Sequence, residues 1–90
     1  MYDLLKNLKD LTMLNGISGQ EKKVNNYIKE NIQVIVDKIE NDNLGTLIAY
    51  KGTKGPKIML AGHVDEIGLM VTEITKEGFV KFQPIGGLVD

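Results

Sequence analysis

The sequence predicts an α/β fold that changes character part-way along: helices and a short apolar strand open an α/β layer, and a hairpin then begins an all-β module. Three observations support this. Leucines and isoleucines recur at helical spacing through the first third of the chain. The run Lys57 to Gly62 is apolar after its lysine and follows a Gly55-Pro56 turn signal, the pattern of a strand buried on both faces. From Ile67 onward, β-branched and aromatic residues surround a tight turn, and no helical pattern follows.

In chain order, Leu4, Leu5, Leu8, Leu11 and Leu14 make one face of a helix over Asp3 to Leu14, with Lys6, Asn7, Lys9 and Asp10 outside. Asn15-Gly16 is expected to close it, with the glycine in a left-handed conformation. Ser18-Gly19-Gln20-Glu21 has the form of a capping box, Ser18 capping and Glu21 reaching back. A second helix then spans Gly19 to Asn31 and buries Val24, Tyr27, Ile28 and Ile32. Val34 to Glu40 reads as a strand with Ile35, Asp37 and Ile39 on one side, Asn41 to Gly45 as a turn, and Thr46 to Tyr50 as a return strand. So much charge suits a hairpin at a sheet edge. Lys51 to Pro56 is a loop, and Ile67 to Thr75 pairs with Phe79 to Phe82 around Lys76-Glu77-Gly78. The division expected is therefore 1–66 for the α/β segment and 67–90 for the first hairpin of the β-rich module. Two strands alone are marginal in water. The chain thus reads as the front part of something larger, or as one completed by another chain.

Composition narrows the function. The apolar fraction of 42% belongs to a folded chain, and 11 lysines against 12 acidic residues leave a net charge of -1 with no arginine. That balance gives no basis for nucleic-acid binding, and no segment is long enough to span a membrane. The amino terminus lacks the layout of a signal peptide, so a cytoplasmic location is the default expectation. Without cysteine, any metal site must use imidazole and oxygen donors.

His63, the single histidine, ends the apolar run, and Asp65 follows two places later. On an extended chain the two share a side, about 7 Å apart along it. They suit a metal ligand with its orienting carboxylate, and equally a structural ion pair. Glu66 would point the other way, while Gly62 and Gly68 would allow close backbone approach. A hydrolytic zinc site generally needs three protein ligands, and a two-metal site holds its ions about 3.5–4 Å apart. One imidazole with two neighbouring carboxylates falls short of either.

The string PKIMLAGHVDE (56–66), with GISGQE upstream, DNLGTLIAYKG, and FQPIGG downstream, closely resembles the amino-terminal part of the two-metal aminopeptidases. These are the glutamyl, deblocking and tetrahedral aminopeptidases, whose members are often labelled endoglucanase or cellulase. The resemblance covers nearly the whole chain, although family members are much longer. It implies the start of a three-layer metallopeptidase domain, interrupted after the HxDE segment by an inserted β-rich oligomerisation domain. It implies that His63 is a metal ligand and that Asp65, the catalytic residue carried over, supports the site's geometry. The complete enzyme would hold two divalent ions, zinc or cobalt, and remove the amino-terminal residue of short peptides. Residues 1–90 alone would bind one ion weakly or none and be inactive. The implied partners are short peptides, the remainder of the enzyme or a complementing chain, and further copies, from dimers up to dodecamers. The other readings are a small non-catalytic binding or assembly module and an endoglucanase. For the latter, Asp65 and Glu66 on opposite strand faces fit poorly with a carboxylate pair about 5–10 Å apart.

Overall fold

Asp3 starts the first helix: its carboxylate accepts the Lys6 N–H at 3.0 Å, satisfying one of the donors a helix start leaves unpaired. The computed structural model describes residues 3–87 and gives a mixed α/β chain. In order it contains α1 (Leu4–Met13), α2 (Lys22–Ile32), β1 (Lys38–Asn41), β2 (Leu47–Tyr50), β3 (Gly68–Ile74) and β4 (Val80–Ile85). The end of the expected β module, Leu88 to Asp90, lies outside the described residues.

Both predicted helices form, with corrected ends. α1 closes at Leu14, whose N–H bonds the Leu11 carbonyl, and Gly16 is not left-handed. Gly16 is small for a different reason: a Cβ there would stand 2.6 Å from Val24 Cγ2, so α2 packs directly on its backbone. The capping box does not form, although Glu21 does reach back, to Gly19 and not to Ser18. A turn from Ile17 to Gln20, closed at 2.8 Å, puts Gly19 at φ 88°, and the Glu21 carboxylate accepts the Gly19 N–H. Ser18 does not cap, and α2 begins three residues later than expected, at Lys22. Val24 is buried, while Tyr27, Ile28 and Ile32 are half-buried. The Tyr27 hydroxyl lies 3.0 Å from both Asn7 Oδ1 and Asp10 Oδ2, linking the helices.

The strand expected from Val34 starts later, at Lys38. The Ile32 carbonyl takes the N–H groups of both Ile35 and Val36, at 2.9 and 3.1 Å, so the helical turn outcompetes the strand. β1 and β2 pair antiparallel from Lys38↔Tyr50 to Asn41↔Leu47, as a two-stranded sheet rather than the edge of a larger one. β3 and β4 pair from Gly68↔Ile85 to Ile74↔Val80 with an irregularity between Val71 and Glu73. β4 runs on past Phe82 to Ile85.

Asp42 organises the first hairpin's turn, accepting the Leu44 and Thr46 N–H groups at 2.9 and 2.8 Å. The Thr46 N–H, chiefly, holds its carboxyl below the usual aspartate value. A depressed folded value means the stabilisation is present above the unfolded value and lost as pH falls through the folded one. Acidification should therefore loosen this turn. Amide exchange at Leu44 and Thr46 should rise below the ordinary aspartate range, and Asp42→Asn should flatten that dependence.

The apolar run is the main correction. Residues 57–62 form no strand, and Ile58, Met59 and Leu60 are 85%, 87% and 94% exposed. A strand buried on both faces needs neighbours on both edges to take its N–H and C=O groups. Here β1 pairs only with β2 and β3 only with β4, and although each strand keeps one open edge, the run pairs with none of them among the described residues. The α1 face is likewise largely uncovered: Leu4, Leu5 and Leu8 are exposed, Leu11 and Leu14 half-buried. The radius of gyration is 17.4 Å, against roughly 12 Å for a compact domain of this length. Among the described residues no helix is long and apolar enough to cross a membrane.

Candidate functional site

Two contacts with the loop after α1 fix the segment that carries His63. Glu66 N–H bonds the Gly16 carbonyl at 2.8 Å, and Ile17 and Glu66 form a parallel bridge, so the loop after α1 lies alongside residues 64–66. Gly68 then opens β3 with Ile17 pressed against it: a Cβ at 68 would collide with Ile17 Cγ2. The close approach expected at Gly68 is thus present, whereas at Gly62 an added Cβ meets nothing within 4 Å. Gly16 and Ile17 were not singled out as site-positioning residues by sequence reasoning. The available signal was that an isolated glycine opening a strand pattern often marks a close backbone approach, and that approach requires a partner.

His63 and Asp65 are in direct contact. His63 Nδ1 lies 3.1 Å from the Asp65 carbonyl oxygen and 3.1 Å from Asp65 Oδ1. Both neighbours are acceptors, so Nδ1 carries the proton. In the neutral ring, Nε2 is then the atom with a free lone pair. The imidazole is 86% exposed and the Asp65 side chain 40%. Glu66 engages the Gly16 loop through its backbone and is not part of the pair.

His63 and Asp65 also line an open cavity of about 350 Å³ between α2, the β1–β2 turn and residues 62–65. Glu21, Asn25, Ile28 and Leu47 contribute to its other walls. Asn25 Nδ2 donates to the Gly45 carbonyl at 2.8 Å and ties α2 to the turn. Among the described residues, no three His, Asp or Glu side chains gather in a group that could hold a metal ion. The arrangement supplies one oriented imidazole donor, and not a complete coordination sphere.

Comparison with known proteins places this segment. A family model described as M42 glutamyl aminopeptidase matches residues 45–90. Over 88 residues the chain is 49% identical to a protein of Acetivibrio thermocellus named as an aminopeptidase, covering 98% of this chain and 26% of that one. It superposes on a Thermotoga maritima protein described as an endoglucanase with TM-score 0.81 and 43% identity, covering 90% of this chain and 27% of the other. It also superposes on the Pyrococcus horikoshii TET1 peptidase, described as assembling into a tetrahedron or a large octahedral shell. There the TM-score is 0.84 at 36% identity, over 98% of this chain and 26% of the other. The chain spans about a quarter of the length of the relatives it matches.

Proposed function

The chain belongs to the M42 glutamyl aminopeptidase family, and from that membership we propose that it supplies one metal ligand of an aminopeptidase acting on short peptides. The observation that carries the proposal is the His63–Asp65 contact within the matched segment: Nδ1 is held by two acceptors, which leaves Nε2 as the free donor of an exposed ring. Metal-bound histidines commonly donate their other ring nitrogen to a carboxylate or carbonyl in this way. The donor therefore fits a divalent ion, zinc or cobalt. The remaining donors belong to parts of the enzyme outside residues 1–90, or to a complementing chain.

In the complete enzyme, divalent ions supply polarisation of the scissile carbonyl and a more acidic water. The contribution of this chain is positional. His63 presents Nε2, and Asp65 keeps the Nδ1 proton in place, which fixes the tautomer and strengthens the donor. Residues 1–66 would belong to the peptidase domain and 67–90 to the first hairpin of an inserted β-rich domain used in assembly. Exposed apolar side chains on that hairpin, including Val71, Ile74 and Phe82, suit burial against further chain or further copies. A dimer, or a larger closed assembly, is the expected state.

Asp65→Asn in the full-length protein should keep the fold, since its side chain is partly exposed, but lower metal affinity or activity by about 10–100-fold. Metal titration alongside thermal melting checks this. The description of the Thermotoga maritima relative keeps glucan cleavage as the competing reaction. Assaying release of an amino-terminal residue beside hydrolysis of a glucan decides between them: peptide turnover alone is expected, and glucan turnover alone would overturn the proposal.

A further inference from the structure

Three glycine-bearing segments far apart in sequence meet around residues 66–68. On one side, the Gly16 carbonyl accepts the Glu66 N–H at 2.8 Å, and Ile17 Cγ2 occupies the space a Cβ on Gly68 would need. On the other side, a Cβ on Gly86 would lie 2.8 Å from Ile67 Cγ2. Gly68 has an ordinary negative φ, so its lack of a side chain answers to space and not to backbone conformation. Gly86 differs, with φ 92°. The segment is thereby pinned between the loop after α1 and the end of β4, immediately next to Asp65.

We propose that Ile17 and Gly68 form a clasp that positions Asp65, and through Asp65 the His63 ring, so that both are positioning residues for the metal-ligating imidazole. The inference rests on the aminopeptidase reading for its consequence, but its geometry is independent of any metal. Asp65 offers Nδ1 two acceptors at the same 3.1 Å, its own carbonyl and its carboxylate. Both bonds require the backbone at residues 63–65 to curl so that the ring folds back over residue 65. The next peptide N–H is the one held by Gly16. Displacing Gly68 from Ile17 pulls on that peptide and opens the curl. The His63 side chain is too exposed for surrounding packing to restore it.

The test uses the full-length chain in four forms: wild type, Gly68→Ala, Ile17→Ala, and Ile17→Ala with Gly68→Ala. Removing Ile17 Cγ2 leaves Ile17 Cβ 3.3 Å from the new methyl, tight but tolerable, so the double variant should close the clasp again. Two readouts are taken besides melting temperature. One is the ¹⁵N signature of the His63 tautomer in metal-stripped protein, at a pH where the ring is neutral, assigned by its loss in His63→Ala. The other is Co²⁺ affinity.

In Gly68→Ala the Nδ1–H form is expected to give way to the Nε2–H form and Co²⁺ affinity to fall about 10-fold. The double variant should restore both. A lower melting temperature with unchanged tautomer and affinity would reduce the clasp to ordinary packing and overturn the proposal. So would a double variant that fails to recover. Should Gly68→Ala not fold, Ile17→Ala carries the test: a mixed tautomer supports the clasp, and an unchanged one overturns it. A tautomer that responds in a wild-type background binding no Co²⁺ supports the clasp while sinking the aminopeptidase reading. Co²⁺ binding that needs His63 but ignores Gly68→Ala has the opposite meaning.

Discussion

His63→Ala in the full-length protein should remove one divalent ion per subunit and abolish most peptidase activity without lowering the melting temperature of the metal-stripped protein. Among the described polar contacts, the ring's partners are the two Asp65 oxygens, and its side chain is 86% exposed. Exposed substitutions of this kind typically stay within about ±0.5 kcal/mol of the parent. The metal loss should exceed the about 10–100-fold that an orienting partner carries, because the donor atom itself is gone. Elemental analysis of dialysed protein, with rates on a short peptide, provides the measurement. Full metal content and an unchanged rate would remove His63 from the site.

The polypeptide Met1 to Asp90 taken alone should bind a hydrophobic dye strongly and melt without a sharp transition. Val24 is the sole apolar side chain fully buried among the described residues, and each sheet has two strands. Pairs of strands are marginal in water unless packed on something. Helix α1 shows Leu4, Leu5 and Leu8 to solvent, residues 58–60 are nearly bare, and the β3–β4 hairpin exposes Leu69, Met70, Val71 and Phe79. Cooperative unfolding needs a shared core that links these parts. Dye fluorescence and calorimetry on the purified piece measure the outcome. A single sharp transition with no dye binding would mean these surfaces find cover in the piece alone.

Much of this architecture was legible from local pattern. Helical spacing located α1 and α2 because their periodicity is intrinsic to the segments, and Asn41–Gly45 and Lys76–Gly78 located the hairpin turns. The His63–Asp65 spacing puts the two on one side about 7 Å apart along an extended chain, whereas residues 61–65 form no strand and the two side chains touch at 3.1 Å. What failed at residues 57–62, Ser18 and Gly16 depends on a distant neighbour or on the path of the chain. Residues 57–62 carry the composition of a central strand, but a strand exists by virtue of adjacent strands, and the run docks on neither two-stranded sheet. Ser18 was assigned a cap from a local motif, and the turn at Gly19 redirected the chain before the helix began. The Asn15-Gly16 pattern reads as a helix terminator, although the size of Gly16 answers to Val24 on another helix. No local pattern specifies which distant side chain will arrive at a given backbone atom.

The central claim, that this chain lends an oriented imidazole to a metal-dependent aminopeptidase, is tested most directly by one rate. Release of the amino-terminal residue from a short peptide by the full-length protein should disappear on chelation and return with added Zn²⁺ or Co²⁺. Undiminished release in the presence of chelator would contradict it.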